Sequence, residues 1–389
     1  MNLISLYNQY IGDAKLMLKK LSSPRIFVFT IIWLMFLVFI GTIAQRDIGL
    51  FQAQQKYFSS LLLWFEIGGF QILPLPGGLL TMIILFVNLL TFFFKPNIWS
   101  RNKLGVLIIH GGALILLFGG GITAIFSTEG NMMIQEGKSS NYIQNLYERE
   151  FSISIDYGSK TDSLEIIIFD EELLEKNTTL NYNNIPFKIK IIDYFVNADL
   201  QPKKQLDVLD KGFLAQKFNL KELPNQKEYE QNKSGIKYQI ISDQIDIAGT
   251  YISHINERET TKLYLDNHIY ELSLRPKRTY LPFEIELKEF KKIMHPGTQM
   301  SKSYSSEINL NKEDISKRFL IEMNAPLRYN DYTFYQASYA EFEGKKYSIF
   351  AVVKNYGRLF PYIASIIMCF GVLIQIIFRL PKLMKRKNS

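Results

Sequence analysis

The chain has 389 residues, 47% of them hydrophobic and 21% charged, with a net charge of +8 and a single cysteine, Cys369. Its mean hydropathy of +0.00 averages two unlike populations: charge-free runs fill the first third and the final stretch, and a polar, tyrosine-rich block lies between them. That split excludes one globular core, and a lone thiol inside an apolar run excludes disulfide frameworks, zinc ribbons and CxxC redox chemistry.

Uncharged stretches cover residues 26–44, 67–94, 104–128 and 359–378. Each reaches the roughly 20 residues that a helix needs to cross about 30 Å of hydrocarbon. Four transmembrane helices are therefore predicted, three before the polar block and one after it. The first apolar run exceeds the roughly 7–15 residues of a signal-peptide core, so it is read as an uncleaved helix. Pro74, Pro76, Gly77 and Gly78 trim the second to residues 79–94. Just ahead of them, Phe58, Leu61, Leu62 and Phe65 share one helical face and predict a short helix lying at the membrane interface.

Basic residues orient the bundle. The segment 1–25 carries Lys15, Lys19, Lys20 and Arg25 against Asp13, the loop 95–103 carries Lys95, Arg101 and Lys103, and the tail carries Arg379, Lys382, Lys385, Arg386 and Lys387. These segments hold +3, +3 and +5, more than the whole-chain +8, so the remainder is net negative. By the positive-inside rule both termini are cytoplasmic and the polar block is outside. The positive charge thus reports membrane topology and gives no reason to invoke nucleic acid.

From residue 129 to 355 the period switches to two. Phe151, Ile153 and Ile155 alternate with Ser152 and Ser154, Phe187 and Ile189 with Lys188 and Lys190, and Phe283, Ile285 and Leu287 with Glu284 and Glu286. Alternation means strands with one buried and one wet face, and turn signals at Gly158, Asp266-Asn267 and Glu343-Gly344 separate them. The expected architecture is an α+β membrane protein: four transmembrane helices carrying a large exterior, mainly antiparallel β-sandwich or open barrel. Its parts are a cytoplasmic segment 1–25, helices 1–3 with a short exterior loop in 26–128, the β-rich domain 129–355, helix 4 in 356–380 and a basic tail 381–389. A polar insert around residues 201–234 reads as a loop or helical excursion.

Four histidines are present. His110 falls seven residues after Lys103, about 10 Å into the third span at 1.5 Å per residue. An ionisable group at that depth is costly and faces a partner or cavity; neutral imidazole is also an axial ligand for haem iron. Gly105, Gly112 and Gly119 recur at seven-residue intervals, a smooth stripe for another helix or a flat macrocycle. The residues alone leave His110 as either an iron ligand or a histidine packed in a small-residue interface. His254, His268 and His295 lack metal-ligand spacing and read as core or turn residues. No GxSxG, HExxH, Walker A or CxxCH motif occurs, so hydrolase, protease, nucleotide-driven and c-type cytochrome readings lack support. Trp64 and Trp99 lie near span boundaries, as interface anchors do.

Several strings, taken in order, resemble the ResB (CcsB) family of cytochrome c biogenesis proteins. They are Gly41-Thr42-Ile43-Ala44-Gln45, the run 53–58, Gly105 through His110-Gly111-Gly112, Glu129-Gly130-Asn131-Met132, and Pro296-Gly297-Thr298 with Ser305-Ser306-Glu307. The fullest is Asn324-Ala325-Pro326-Leu327-Arg328-Tyr329 through Tyr332 and Tyr335-Gln336-Ala337-Ser338-Tyr339, followed by Val352-Val353-Lys354-Asn355 and Pro361-Tyr362. Asn355-Tyr356-Gly357 and Ala44 depart from the family's usual Asp-Pro-Gly and proline. The resemblance implies a bacterial inner-membrane subunit that works with a CcsA/ResC-type integral membrane protein to deliver haem across the membrane and present it to apocytochrome c. It implies that His110 is a haem ligand in a site shared with that partner. Haem is then transient cargo, lipid surrounds the helices, and any synthase activity belongs to the complex, because no residue here reads as a covalent catalyst. The alternatives are a membrane-bound b-type electron-transfer protein, which would need a second intramembrane imidazole, and a haem-free scaffold.

Overall fold

The computed structural model describes residues 12–13, 16–67, 70–95, 98–158, 165–205, 207–255, 257, 260–298, 301–313 and 315–387. Residues 1–11, 14–15, 96–97 and 388–389 of the expected basic segments, Lys15 among them, lie outside them. The chain divides into a helical unit, residues 1–128 with 354–389, and a β domain of residues 129–353.

In the helical unit, α1 (Pro24–Ile48) starts where Ser23 accepts a hydrogen bond from the Arg25 amide and Pro24 takes the first helical position, and it stops at Gly49 with φ 83°. These are ordinary start and stop devices: a capping oxygen, a preset φ and a residue without Cβ. A short helix (Leu50–Ala53) and a π-helical turn (Gln54–Phe58) follow. The interfacial helix expected next is absent. Instead β1 (Leu62–Ile67) pairs antiparallel with β2 (Phe70–Pro76), Leu62 opposite Pro76 and Trp64 opposite Pro74. Prolines are tolerated there because a two-stranded hairpin offers edge positions that need no amide donor. Four apolar residues could mark a helical face or a strand, and the pairing partner decided it. Trp33 Nε1 donates to the Pro76 carbonyl at 2.8 Å, fixing the end of the hairpin to α1.

The next helix, α2 (Gly78–Phe92), has 15 residues; at 1.5 Å per residue it is about 22 Å long, short of a full hydrocarbon crossing. Its buried Asn88 donates to the carbonyls of Leu21 and Ser23, tying it to the start of α1. The remaining two are α3 (Leu104–Phe126) and α4 (Phe360–Lys387). Among the described residues, α1, α3 with its leading turn, and α4 are long and apolar enough to cross a membrane, and α2 is a shorter apolar helix. Four spans were expected, the second trimmed by Pro74, Pro76, Gly77 and Gly78 to residues 79–94; α2 falls on that trimmed run, and with the hairpin taking up the first part of the apolar stretch it is shorter than the other three.

The glycine stripe of α3 is filled by α4. A Cβ on Gly105 would strike Gln375, one on Gly112 would strike Met368 and the Ala364 carbonyl, and one on Gly119 would strike Phe360; Gly371 of α4 lies equally close to Ile109. Small residues let the two backbones approach, and this close packing replaces a hydrophobic drive that lipid does not supply. Gln375 Oε1 accepts from the Val106 amide at 3.2 Å. Asn355 Oδ1 accepts from Thr123 and from the Gly357 amide, forming the turn into α4.

The β domain begins with β3 (Thr128–Gln135), β4 (Ser139–Asp156), β5 (Glu165–Asp170), β6 (Thr179–Leu180) and β7 (Lys188–Phe195). It continues through β8 (Ala198–Pro202), β9 (Phe218–Glu222), β10 (Gly235–Ile241), β11 (Gly249–His254) and β12 (Thr261–Leu265). The last six are β13 (His268–Met294), β14 (Ser301–Lys312), β15 (Ile315–Glu322), β16 (Leu327–Tyr329), β17 (Tyr332–Phe342) and β18 (Lys345–Lys354). Two strands, β4 of 18 residues and β13 of 27, run through both of its cores. Their first shared stretch, flanked by β5 and β12, faces a second sheet ordered β11-β10-β7-β6 across Phe151, Ile153, Tyr238 and Leu272. Their other stretch belongs to the order β15-β14-β13-β4-β3-β18-β17-β16. At the far end of that path β15 lies close to β16 and β17, so the sheet curls around Met132, Ile285, Ile308, Phe334 and Phe350. One lobe is thus a sandwich and the other an open barrel, where the alternation had left the two as alternatives. The polar insert is a β8–β9 ribbon enclosing a one-turn helix, Gly212–Lys217.

Candidate functional site

His110 occupies the second turn of α3, and its Nδ1 lies 2.8 Å from the carbonyl of Val106, one turn earlier. That carbonyl can only accept, so Nδ1 carries the proton and the Nε2 lone pair points away from the helix. Nε2 has no partner among the described residues. A backbone carbonyl on one ring nitrogen is the arrangement that orients a metal-binding imidazole. The Phe92 ring of α2 stacks on His110 with centroids 4.1 Å apart and planes 13° from parallel, fixing the plane of the imidazole. At 100° per residue, Gly105, Gly112 and Gly119 lie roughly 140–180° around α3 from His110. The glycine stripe serves α4, then, and the imidazole faces another way. The macrocycle alternative for that stripe is overturned, because Phe360, Ala364, Met368 and Gln375 already fill it.

These features fit one axial position of a haem iron. They do not fit a complete two-imidazole site, because the other three histidines belong to the β domain. His254 is 5% exposed on β11 with Nε2 3.3 Å from the Ala198 carbonyl, and burial lowers its pKa. His268 follows the positive-φ pair Asp266-Asn267 and packs edge-on against Tyr157, and the His295 carbonyl closes a turn onto Thr298. Among the described residues, no three His, Cys, Asp or Glu side chains gather as a metal site. Trp99 Nε1 donates to the Phe93 carbonyl, and Trp64 stands exposed on β1.

A second polar constellation escaped the sequence reading. Between its two cores β13 loses register with β4: Pro276 faces Arg149, but Arg278 already faces Gln144. The intervening residues 145–148 loop out, held by Asn145 Oδ1, which accepts from the Tyr147 and Glu148 amides. This break turns several charges inward. Glu150, 1% exposed, accepts from Arg275 Nε at 2.8 Å and from the Arg278 amide at 3.2 Å. The Arg278 guanidinium lies over the Tyr142 ring at 4.2 Å. Glu171 accepts from the Arg149 amide and from the Tyr194 hydroxyl. Burial first, and Glu171 second, push the Tyr194 pKa far up, so it stays a donor. Arg149 Nε, Arg275 Nη2 and Arg278 Nε are buried without acceptors. The legible signal was Arg275-Pro276-Lys277-Arg278, a proline and three cations inside an alternating strand.

Residues 254–346, from the end of β11 into β18, match the ResB-like family. Along 92% of its length the chain is similar, at 26% identity over 366 residues, to Protein NrfI of Wolinella succinogenes. It covers 35% of that relative, so the relative is about three times as long. The local match starts in the sandwich lobe, with β12 and the first stretch of β13, and takes in most of the open-barrel lobe; the near full-length one also takes in the helices. With the ordered strings noted in the sequence, these matches make the chain similar to the ResB-like family over residues 254–346 and to Protein NrfI along most of its length.

Proposed function

We propose that this chain acts in cytochrome c maturation as the haem-delivering subunit of a membrane complex. The observation that carries the reading is the His110 imidazole: its Nδ1 is bound to the Val106 carbonyl, its plane is set by Phe92, and its Nε2 is unpartnered within an apolar helix. Haem is the cargo. His110 contributes one axial nitrogen during its passage, and an imidazole of a CcsA/ResC-type partner contributes the other. The β domain stands on the outer side, where apocytochrome c receives the haem. This reading assigns no covalent catalyst to the chain; thioether formation belongs to the assembled complex and to the acceptor's own thiols.

The test is an absorption spectrum of the purified chain, alone and with its partner, for the unaltered protein and for His110→Ala. The expected result is a Soret band that depends on His110 and strengthens with the partner. Equal haem content in the variant would remove the ligand assignment. Undiminished cytochrome c assembly in a strain lacking the gene would remove the function.

A further inference from the structure

Two hydrogen bonds set the height of the β1–β2 hairpin against α1. Asn88 of α2 donates to the Leu21 and Ser23 carbonyls at the start of α1, and Trp33 donates to Pro76 at the end of the hairpin. Trp33 stands nine residues after Pro24 and Gly41 seventeen, about 14 and about 26 Å along the axis at 1.5 Å per residue. The Phe58 ring lies against Gly41 and its backbone against Gly78, directly after the hairpin. The open end of the hairpin therefore sits between those two heights, within the roughly 30 Å of hydrocarbon that α1 is long enough to cross. At that depth water does not satisfy a backbone, and an uncovered strand edge is not tolerated.

The two edges are unlike. The Gly77 amide donates to the Leu61 carbonyl. Leu62 with Pro76, and in turn Trp64 with Pro74, are thus the non-hydrogen-bonded pairs, whose backbone groups point away from the neighbouring strand. On β2 these outward residues are prolines, which have no N–H to leave unpaired, and Trp33 takes the Pro76 carbonyl. On β1 the outward groups are the N–H and C=O of Leu62 and of Trp64, without a partner among the described residues. Both residues are 49% exposed.

An occupant must bring donors and acceptors in strand spacing to the β1 edge, and it must not end in a new open edge of its own. A transmembrane helix fails the first condition, because its backbone groups are spent internally, and an ordinary added strand fails the second. A second copy of the hairpin meets both. With Leu62 of one copy opposite Trp64 of the other, antiparallel, every outward group of β1 finds its complement, and the joined sheet ends on each side in prolines. We propose that β1 is a self-complementary interface through which two copies of this chain pair inside the membrane. The proposal rests on α1 being a membrane span. It involves neither haem nor His110, so it and the maturation reading can fail separately.

The experiment links copies through cysteine in native membranes, on a Cys369→Ser background that removes the chain's own thiol. In this register the two Leu63 residues meet as a non-hydrogen-bonded pair, with Cβ atoms about 4.5–5.5 Å apart. Leu63→Cys is therefore expected to give a disulfide-linked dimer of twice 45.3 kDa on mild oxidation. It should do so roughly tenfold or more faster than Trp64→Cys, whose equivalents lie diagonally across the pair. Energy transfer between donor- and acceptor-labelled copies of the full chain, diluted in lipid vesicles, reports the strength of pairing. Trp64→Pro removes an outward N–H and no bond of the hairpin's own ladder, and it is expected to weaken pairing by roughly tenfold or more. Trp64→Ala keeps that N–H and is expected to stay within about twofold of the unaltered chain. Circular dichroism checks that both variants fold. An unaltered chain that stays monomeric, a cross-link from residue 63 that runs to a different polypeptide, or equal weakening by the two Trp64 variants overturns the proposal.

Discussion

The helical unit and the β domain solve the same problem, a polar group out of water, in opposite ways. In the helices several polar side chains turn to a carbonyl one turn away, His110 to Val106, Thr30 to Ile26 and Thr81 to Gly77, and a few neutral ones, Asn88, Trp33 and Gln375, reach a backbone group of another element. The α3–α4 interface is lined by small residues, with no charge in it. In the β domain, charges meet charges across strands far apart in sequence, as Glu150 and Arg275 do. Local satisfaction leaves one atom of His110 to spare for a ligand. Distant satisfaction at the lobe joint leaves three guanidinium N–H groups over. Both leftovers follow from how each region's backbone is built.

The comparison breaks most visibly at Glu150. Glu150→Ala leaves Arg275 facing no carboxylate in a buried site, and removing one partner of a buried pair costs about 3–5 kcal/mol. Denaturant unfolding of the full chain, followed through the tyrosine signal of the β domain, should show that loss; an unchanged midpoint would mean that the lobe joint is solvated. The next effect is pH-dependent. Burial pushes the Glu257 carboxyl up to about 8. Between the ordinary value of about 4.5 and 8 the folded chain keeps a proton that the unfolded chain has released. Its contribution to stability is therefore full below the unfolded value and falls as pH rises through that window. Glu257→Gln should flatten the decline between pH 5 and pH 8, on the order of one to a few kcal/mol.

In the helical unit, Gly112→Leu forces a side chain against Met368 and the Ala364 carbonyl. Overpacking there should cost about 1–3 kcal/mol and lower the thermal midpoint in detergent. Gly121→Leu is the control, because a Cβ there meets nothing within 4 Å. If both variants lose equally, lipid exposure of α3 is the cause and the glycine stripe is not. The smallest expected effect is that of Phe92→Ala, which removes the ring stacked on His110 and about 0.5–1.5 kcal/mol of aromatic contact. Global stability should barely change, but the width of any His110-dependent Soret band should increase as the imidazole plane loses its support.

Much of this was legible in the chain, for reasons that differ by region. An ionisable residue in an uncharged run stands out against its background, so His110 was visible; charges are ordinary in a water-exposed domain, so Glu150 and Arg149 were not. The strings Ser305-Ser306-Glu307 and Tyr335-Gln336-Ala337 could be recognised but not explained until packing brought them together. Ser306 Oγ donates to Gln336 Oε1 at 2.6 Å and lies 2.7 Å from Ser348, all three buried between β14, β17 and β18. They form a closed polar network inside the open barrel, where each group depends on the other two.

Apolar run lengths and the change of period from 3.6 to 2 by themselves determined the long helices and the main strands of the β domain, because burial acts locally on every residue. Only the tertiary structure decided that 62–76 is a hairpin, that the glycines of α3 face α4 and not a cofactor, and that β4 and β13 slip register to turn arginines inward. Those outcomes depend on which distant partner a segment meets. A hydrogen-bond ladder or a close backbone approach has no counterpart within either segment alone.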